Sequence, residues 1–399
     1  MLMKFCLRVP AMLLLAAAVL AGCSGSKDRY KGDPLDEITE YTVVKIPGEG
    51  DNVQWGFMSR NGDVIPANLT DQPFHVTGGV FAMPYWKPIS ERISDGSTSE
   101  VVVRRTALYE FDGVMPTLIP GCDSLADVGI FNCGVIPVVH PGQRITLLRK
   151  DGSRVCELGP VDGMEISECS EMFNEGLLAV CRSDRKWGYV DTLGNVVIPF
   201  EYTDAGIFSN GVAVVATPDG QQAISHEGTK LFDIDNSSSL LGFFAYGRKF
   251  MVDNLGCLGY LDLEGKFNSL DPTISEIYDY NADCFVYGND TGKGVMKYSG
   301  EELVPAGEYK RIILLANGSI VGAKTGMEGG ELHLLDSDGD EILVAPIDDV
   351  LDYKAGFPLI VGNRIYDYDF NPIPQIDIDT NGGIYLWSAG GTIDSEYSR

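Results

Sequence analysis

An eight-residue run that closes on a turn residue recurs along most of this chain, and it limits the fold more than any other feature. The copies are WGFMSRNG to Gly62, TALYEFDG to Gly113, ITLLRKDG to Gly152, WGYVDTLG to Gly194, QQAISHEG to Gly228, LGYLDLEG to Gly265, KGVMKYSG to Gly300, LHLLDSDG to Gly339 and RIYDYDFN to Asn371. Asn is the usual substitute for Gly at positive φ, so the last copy keeps the same physical meaning. In the clearest copy, Tyr189 and Asp191 alternate with Val190, which is the period of a strand. A turn at Thr192–Asn195 follows, then the β-branched run Val196-Val197-Ile198 up to Pro199. Each copy therefore predicts two short strands around a glycine turn.

A second signal trails these turns: FNEGLLAV at Gly176, FSNGVAVV at Gly211, and looser forms at Gly134, Gly247, Gly318 and Gly356. Every unit then holds at least three strands. Nine copies between about residue 41 and residue 371, spaced by 32 to 51 residues, are the signature of a β-repeat architecture. The expected fold is an all-β array of short antiparallel strands closing into a propeller-like disc of seven to nine blades, because closure removes exposed edge strands. An open β-solenoid or hairpin array is the alternative, suggested by the long interval from Gly62 to Gly113.

Trp55-Gly56 and Lys186-Trp187-Gly188, with the turn glycine, the Val-Ile-Pro strand, the EYTDA tail and the FSNG-VAVV strand, resemble the WG (KWG) repeat, most closely over residues 173–215. The resemblance implies a bacterial β-repeat protein, often secreted or attached to the envelope, with no established catalytic activity and no site residues to transfer.

The amino terminus carries a separate message. Lys4 and Arg8 precede an apolar run from Ala11 to Leu20, and Leu20-Ala21-Gly22-Cys23 resembles a bacterial lipoprotein signal with its lipobox. The run is short for a membrane span. The expected organisation is a signal peptide over residues 1–22, a tether over 23–38 lipidated at Cys23, and a β domain over 39–399. Acyl chains such as palmitate on Cys23 would anchor the protein without a spanning helix. Ser24 after the cysteine resembles the outer-membrane signal of a Gram-negative lipoprotein.

The formal charge is −27, and loss of Lys4 and Arg8 with the signal leaves −29. Such a surface repels phosphate backbones, so nucleic-acid partners are not expected. Seven cysteines follow Cys23 without C-x-x-C spacing; Cys122 with Cys133, or Cys169 with Cys181, are conceivable pairs, and buried thiols are the favoured reading. His75, His140, His226 and His333 fall in separate units, and no G-x-S-x-G, H-E-x-x-H or P-loop pattern occurs.

Two acidic loops bear on metal binding. Asp377, Asp379 and Asn381, before Gly382, match the first half of a calcium loop, but Ser388 stands where the bidentate Glu belongs. Asp336, Asp338 and Asp340 surround an ordinary repeat turn. No other cofactor is expected. Trp55 and Trp187 occupy the repeat's own register, which points to packing, whereas Trp86 in MPYWKP and Trp387 in IYLWSA lie off it and are the candidate ligand-binding residues. The function expected is a non-catalytic envelope lipoprotein whose β-repeat surface binds a protein, peptidoglycan or glycan partner. The alternatives are a propeller-type polysaccharide hydrolase or lyase, and an outer-membrane assembly or scaffold factor.

Overall fold

The structure, a computed structural model, describes residues 40–47, 53–59, 64–92, 98–142, 144–234, 243–314, 318–326, 329–347, 359–361, 364–366 and 385–387. Among them are only strands, turns and bridges, arranged as nine antiparallel sheets that follow one another along the chain. Each of the nine sequence copies falls on one sheet. The fourth sheet shows the plan, with Ile166–Cys169, Leu177–Arg182, Trp187–Asp191 and Val196–Tyr202 paired in order as an up-and-down meander.

Two kinds of turn build this meander. In the third to sixth sheets a two-residue turn with both residues left-handed leads into the long inner strand: Cys133-Gly134, Glu175-Gly176, Asn210-Gly211 and Tyr246-Gly247 all have φ between 49° and 83°. That conformation matches the right-handed twist of a tight hairpin. The third and fourth strands are joined by the turn that the eight-residue copies spell. Its described glycines, from Gly113 to Gly339, have φ of 77–88°. At Gly194 the amide donates to the Asp191 carbonyl at 2.9 Å, the Asp191 amide donates to the Asn195 carbonyl at 2.9 Å, and the Asp191 carboxylate accepts from Leu193 and Asn195. The ladder then slips by one residue between Tyr189 and Val190. This is a type I turn with a left-handed bulge residue, where glycine carries no Cβ penalty.

The glycine of the Trp-Gly pair serves a different purpose. A Cβ on Gly188 would lie 2.6 Å from the Ile198 carbonyl oxygen, and Gly259 and Gly294 meet Asn268 and Val304 backbone oxygens at 2.5 and 2.7 Å. At this repeat position the bulged fourth strand crosses close over the third, and only glycine leaves room.

Both faces of a sheet are apolar. From the fourth sheet, Leu178, Val180 and Val190 pack against Ile145 and Leu147 of the third, while Leu177, Ala179 and Tyr189 pack against Ala213, Val215 and Ile224 of the fifth. The second strand therefore reads as the continuous run LLAVC, since neither side faces water. Sheets stack in series through such cores. Tyr385–Trp387 pairs with Tyr41–Pro47, so the first sheet draws strands from both ends of the array. An open solenoid has no reason to bring its ends together, and the architecture is a propeller-like β array.

Trp187 is half-buried against the Tyr189–Tyr202 core, and Trp55 is half-buried beside Phe57. Both are packing residues at the repeat register, as the sequence indicated, with more of the indole reaching solvent than a core position implies.

Two outcomes follow. Gly194→Val should destabilise by about 1–3 kcal/mol from backbone strain, and further because the added Cβ meets Cys156 Sγ at 2.5 Å. Gly300→Val has the same φ penalty in open space, so thermal melting should rank Gly194→Val below Gly300→Val and both below wild type. Trp187→Ala should cost about 2–3 kcal/mol in denaturant titration, less than the ~3–5 kcal/mol of a fully buried aromatic. A wild-type midpoint for that variant would remove Trp187 from the packing.

Candidate binding surface

The second sheet departs from the plan. Its middle strands, Val80–Arg92 and Thr98–Phe111, run for 13 and 14 residues and pair continuously from Val80↔Glu110 to Arg92↔Thr98. The outer strands reach only the near end. Phe74–Thr77 meets the hairpin at Ala82 and Val80, and Pro116–Leu118 meets it at Tyr109–Phe111. The far half is thus a two-stranded arm beyond the sheet, and it accounts for the long interval between Gly62 and Gly113 without an open stack.

The arm has two unlike faces. Tyr85, Lys87 and Ile89 are partly covered: the Tyr85 hydroxyl donates to the Asp123 carbonyl, and Lys87 Nζ donates to Ser124 Oγ at 3.2 Å. Strand alternation puts Trp86, Pro88 and Ser90 on the other face, opposite Arg104, Val102 and Glu100. All six are exposed, with Trp86 at 70% and Val102 at 59%. An indole, a proline ring and a valine side by side, rimmed by one basic and one acidic side chain, make an amphipathic patch on a strand platform.

A polar ladder ties successive sheets together at the two-residue turns. Thr77 Oγ1 donates to the Phe131 carbonyl, Asn132 Nδ2 to Phe173, Asn174 Nδ2 to Phe208 and Ser209 Oγ to Phe244, at 2.5–3.0 Å. Beside it, the Glu175 carboxylate accepts the Gly211 amide at 2.9 and 3.0 Å, and Asn210 Oδ1 accepts the Gly247 amide at 2.6 Å. Sequence reasoning found the glycines and missed the donors. The signal was present as Phe-Asn-x-Gly at Phe131 and Phe173 and Phe-Ser-x-Gly at Phe208.

The histidines also acquire partners that their sequence spacing does not suggest. His226 Nε2 lies 2.7 Å from Glu175 Oε2, out of line for a hydrogen bond, with the ring stacked on Phe208 at 4.6 Å. His333 Nδ1 is 2.8 Å from Glu341 Oε2. Burial pushes His75 below the ordinary histidine range, against the opposing pull of Glu171 and Asp127. These groups lie in different sheets and do not converge. Among the described residues no cluster of three or more His, Cys, Asp or Glu side chains is arranged to hold a metal. Asp336 spends its carboxylate on the amides of Asp338 and Asp340, and Asp338 pairs with Lys297 at 3.1 Å, so this acidic loop is a repeat turn.

The seven described cysteines are free thiols. Burial pushes Cys169 up to about 12 and Cys284 up to about 11, which keeps both protonated and poor nucleophiles. Of the remaining candidates, Cys23, Asp377, Asp379 and Asn381 lie outside the described residues. Trp387 is placed on a strand opposite Val43, and only its backbone is described. Trp86 alone is fully placed, and it stands on the arm.

The comparisons with known proteins agree with this plan at one segment. Residues 187–217, from the third strand of the fourth sheet to the second strand of the fifth, match the family model described as WG containing repeat. No curated protein matches the chain. Among solved structures, the computationally designed Ika8 protein shares 12% identity, covering 88% of this chain and 98% of its own, with a TM-score of 0.38. Dihydro-heme d1 dehydrogenase NirN in complex with DHE shares 12%, covering 81% and 75%, with a TM-score of 0.39. BamB from Moraxella catarrhalis shares 12%, covering 71% and 93%, with a TM-score of 0.32. The chain therefore carries a WG-containing repeat at residues 187–217, set within a longer array of the same sheet plan.

Proposed function

We propose that this protein is a non-catalytic lipoprotein of the bacterial cell envelope, anchored at Cys23 in the outer membrane, whose β array holds out the arm of the second sheet as a binding surface. The observation that carries the reading is Trp86, an indole 70% exposed on a strand platform and flanked by Val102 and Arg104. A large aromatic held in water on a two-stranded arm gains little for folding, and Trp and Arg dominate the energetics of protein interfaces. The exposed indole, proline and valine, rimmed by Arg104 and Glu100, have the apolar centre and charged rim of a protein interface, which favours a protein over peptidoglycan or another glycan as partner. The anchor rests on the Leu20-Ala21-Gly22-Cys23 sequence and the basic, apolar flank before it.

Two experiments test the reading. Cys23→Ala should release the body from membranes or leave an uncleaved precursor that no longer incorporates labelled acyl chains. Unchanged fractionation and labelling would remove the anchor. Trp86→Ala should keep the wild-type melting midpoint while envelope proteins recovered with the tagged, lipidated chain fall by roughly tenfold or more, the loss expected of an interface hot spot. Full recovery of those proteins by the variant sinks the arm as their binding surface. Trp86-dependent retention on purified peptidoglycan instead overturns the protein partner in favour of a glycan.

A further inference from the structure

The two edges of the arm are treated differently by the sequence. On the strand Thr98–Phe111, the Thr106 amide donates to the Leu125 carbonyl and the Thr106 carbonyl accepts from the Leu125 amide, and the Leu108 amide donates to the Cys122 carbonyl, all away from the hairpin partner. In an antiparallel ladder this orientation repeats at every second residue. The backbone groups of Glu100, Val102 and Arg104 therefore point outward along the same edge. Beyond Thr106 no described strand pairs with them, and the Arg104 carbonyl accepts from Arg105 Nη1 at 2.9 Å, a bond made by an exposed side chain.

The opposite edge belongs to Val80–Arg92. There the outward positions are Pro84, Trp86, Pro88 and Ser90, since they face Thr106, Arg104, Val102 and Glu100 across the hairpin. Proline at 84 and 88 removes two of the outward donors, which is how natural sheets stop a foreign strand from adding. The Glu100–Arg104 edge has no proline and a run of three valines.

We propose that this edge pairs with the same edge of a second copy of the chain, about a two-fold axis through Val102. The charge pattern singles out this occupant. An antiparallel pairing centred on Val102 sets Glu100 opposite Arg104 of the other copy, twice by symmetry, with Val102 opposite Val102. Both charged pairs are then complementary, and all three outward positions become hydrogen-bonded pairs. Sliding one strand by two residues sets Glu100 or Arg104 opposite Val102 and loses both charged pairs, and sliding it by four sets Glu100 opposite Glu100 or Arg104 opposite Arg104. The pairing stops naturally at Thr106, where Leu125 already occupies the edge. The result is an isologous four-stranded sheet whose exposed face joins two copies of the Trp86, Pro88 and Val102 patch. The dimer does not depend on the function proposed above, and its test uses no partner.

Sedimentation equilibrium of the full chain in density-matched detergent, with the protein-to-detergent ratio varied, should give a concentration-dependent monomer–dimer equilibrium. Glu100→Arg and Arg104→Glu each place two like-charge pairs across the axis and should each weaken the dimer about tenfold or more. The double variant Glu100→Arg/Arg104→Glu restores both pairs and should restore association to near wild type. Val102→Pro, which removes an outward amide from each copy, should also yield monomer at an unchanged melting midpoint. A wild-type chain that stays monomeric throughout overturns the proposal, as does a dimer indifferent to the single swaps or to Val102→Pro. Failure of the double variant to recover overturns the two-fold register.

Discussion

Among the described residues, the central sheets bury apolar side chains on both faces, and the rest of the architecture answers to that. The fourth sheet buries Leu178 and Val180 on one side and Leu177 and Ala179 on the other, so it is stable only between two neighbours. Each neighbour inherits the same demand. A linear stack would meet it everywhere except at its ends. Pairing of Tyr385–Trp387 with Tyr41–Pro47 ties those ends into one sheet, which is the economical way to leave no unpartnered apolar face.

Hydrophobic stacking alone does not fix how one sheet sits on the next, because it is non-directional. The ladder from Thr77 through Asn132, Asn174 and Ser209 supplies direction: each donor reaches one carbonyl in the following sheet. Glu175 and Asn210 add carboxylate and amide acceptors beside it. Sequential units are thereby held at a repeated offset, as a nearest-neighbour array requires. The arm of the second sheet is the exception that such regularity makes visible. It adds strand length without adding inter-sheet core, and it exposes Trp86 where a folding unit has no use for it.

Much of the fold was legible because the repeat turn is a local event. A type I turn with a left-handed bulge needs glycine at one position whatever surrounds it, so Gly113, Gly152, Gly194, Gly228, Gly265, Gly300 and Gly339 mark their hairpins in the sequence. The role of Trp187 was legible from register as well, although its half-burial depends on how far the neighbouring sheet extends over it. The candidate surface was legible only in part. Trp86 stood out as off-register, but its sequence did not show that the flanking strands outrun their sheet.

By itself the sequence determined the all-β class, the repeat count and the turn positions, because strand alternation and left-handed turns depend on neighbouring residues only. The resemblance of Leu20-Ala21-Gly22-Cys23 to a lipoprotein signal is equally local, and the proposed anchor rests on those residues and the flank before them. Tertiary structure decided what is non-local: the pairing of the chain's two ends, the donors that lock sheet to sheet, and the meeting of His226 with Glu175 across a sheet boundary. It also decided how much of the Thr98–Phe111 edge stays open, since that turns on where Leu125 pairs with Thr106. These relations join residues from tens to hundreds of positions apart, and no local preference encodes a distance that only packing sets.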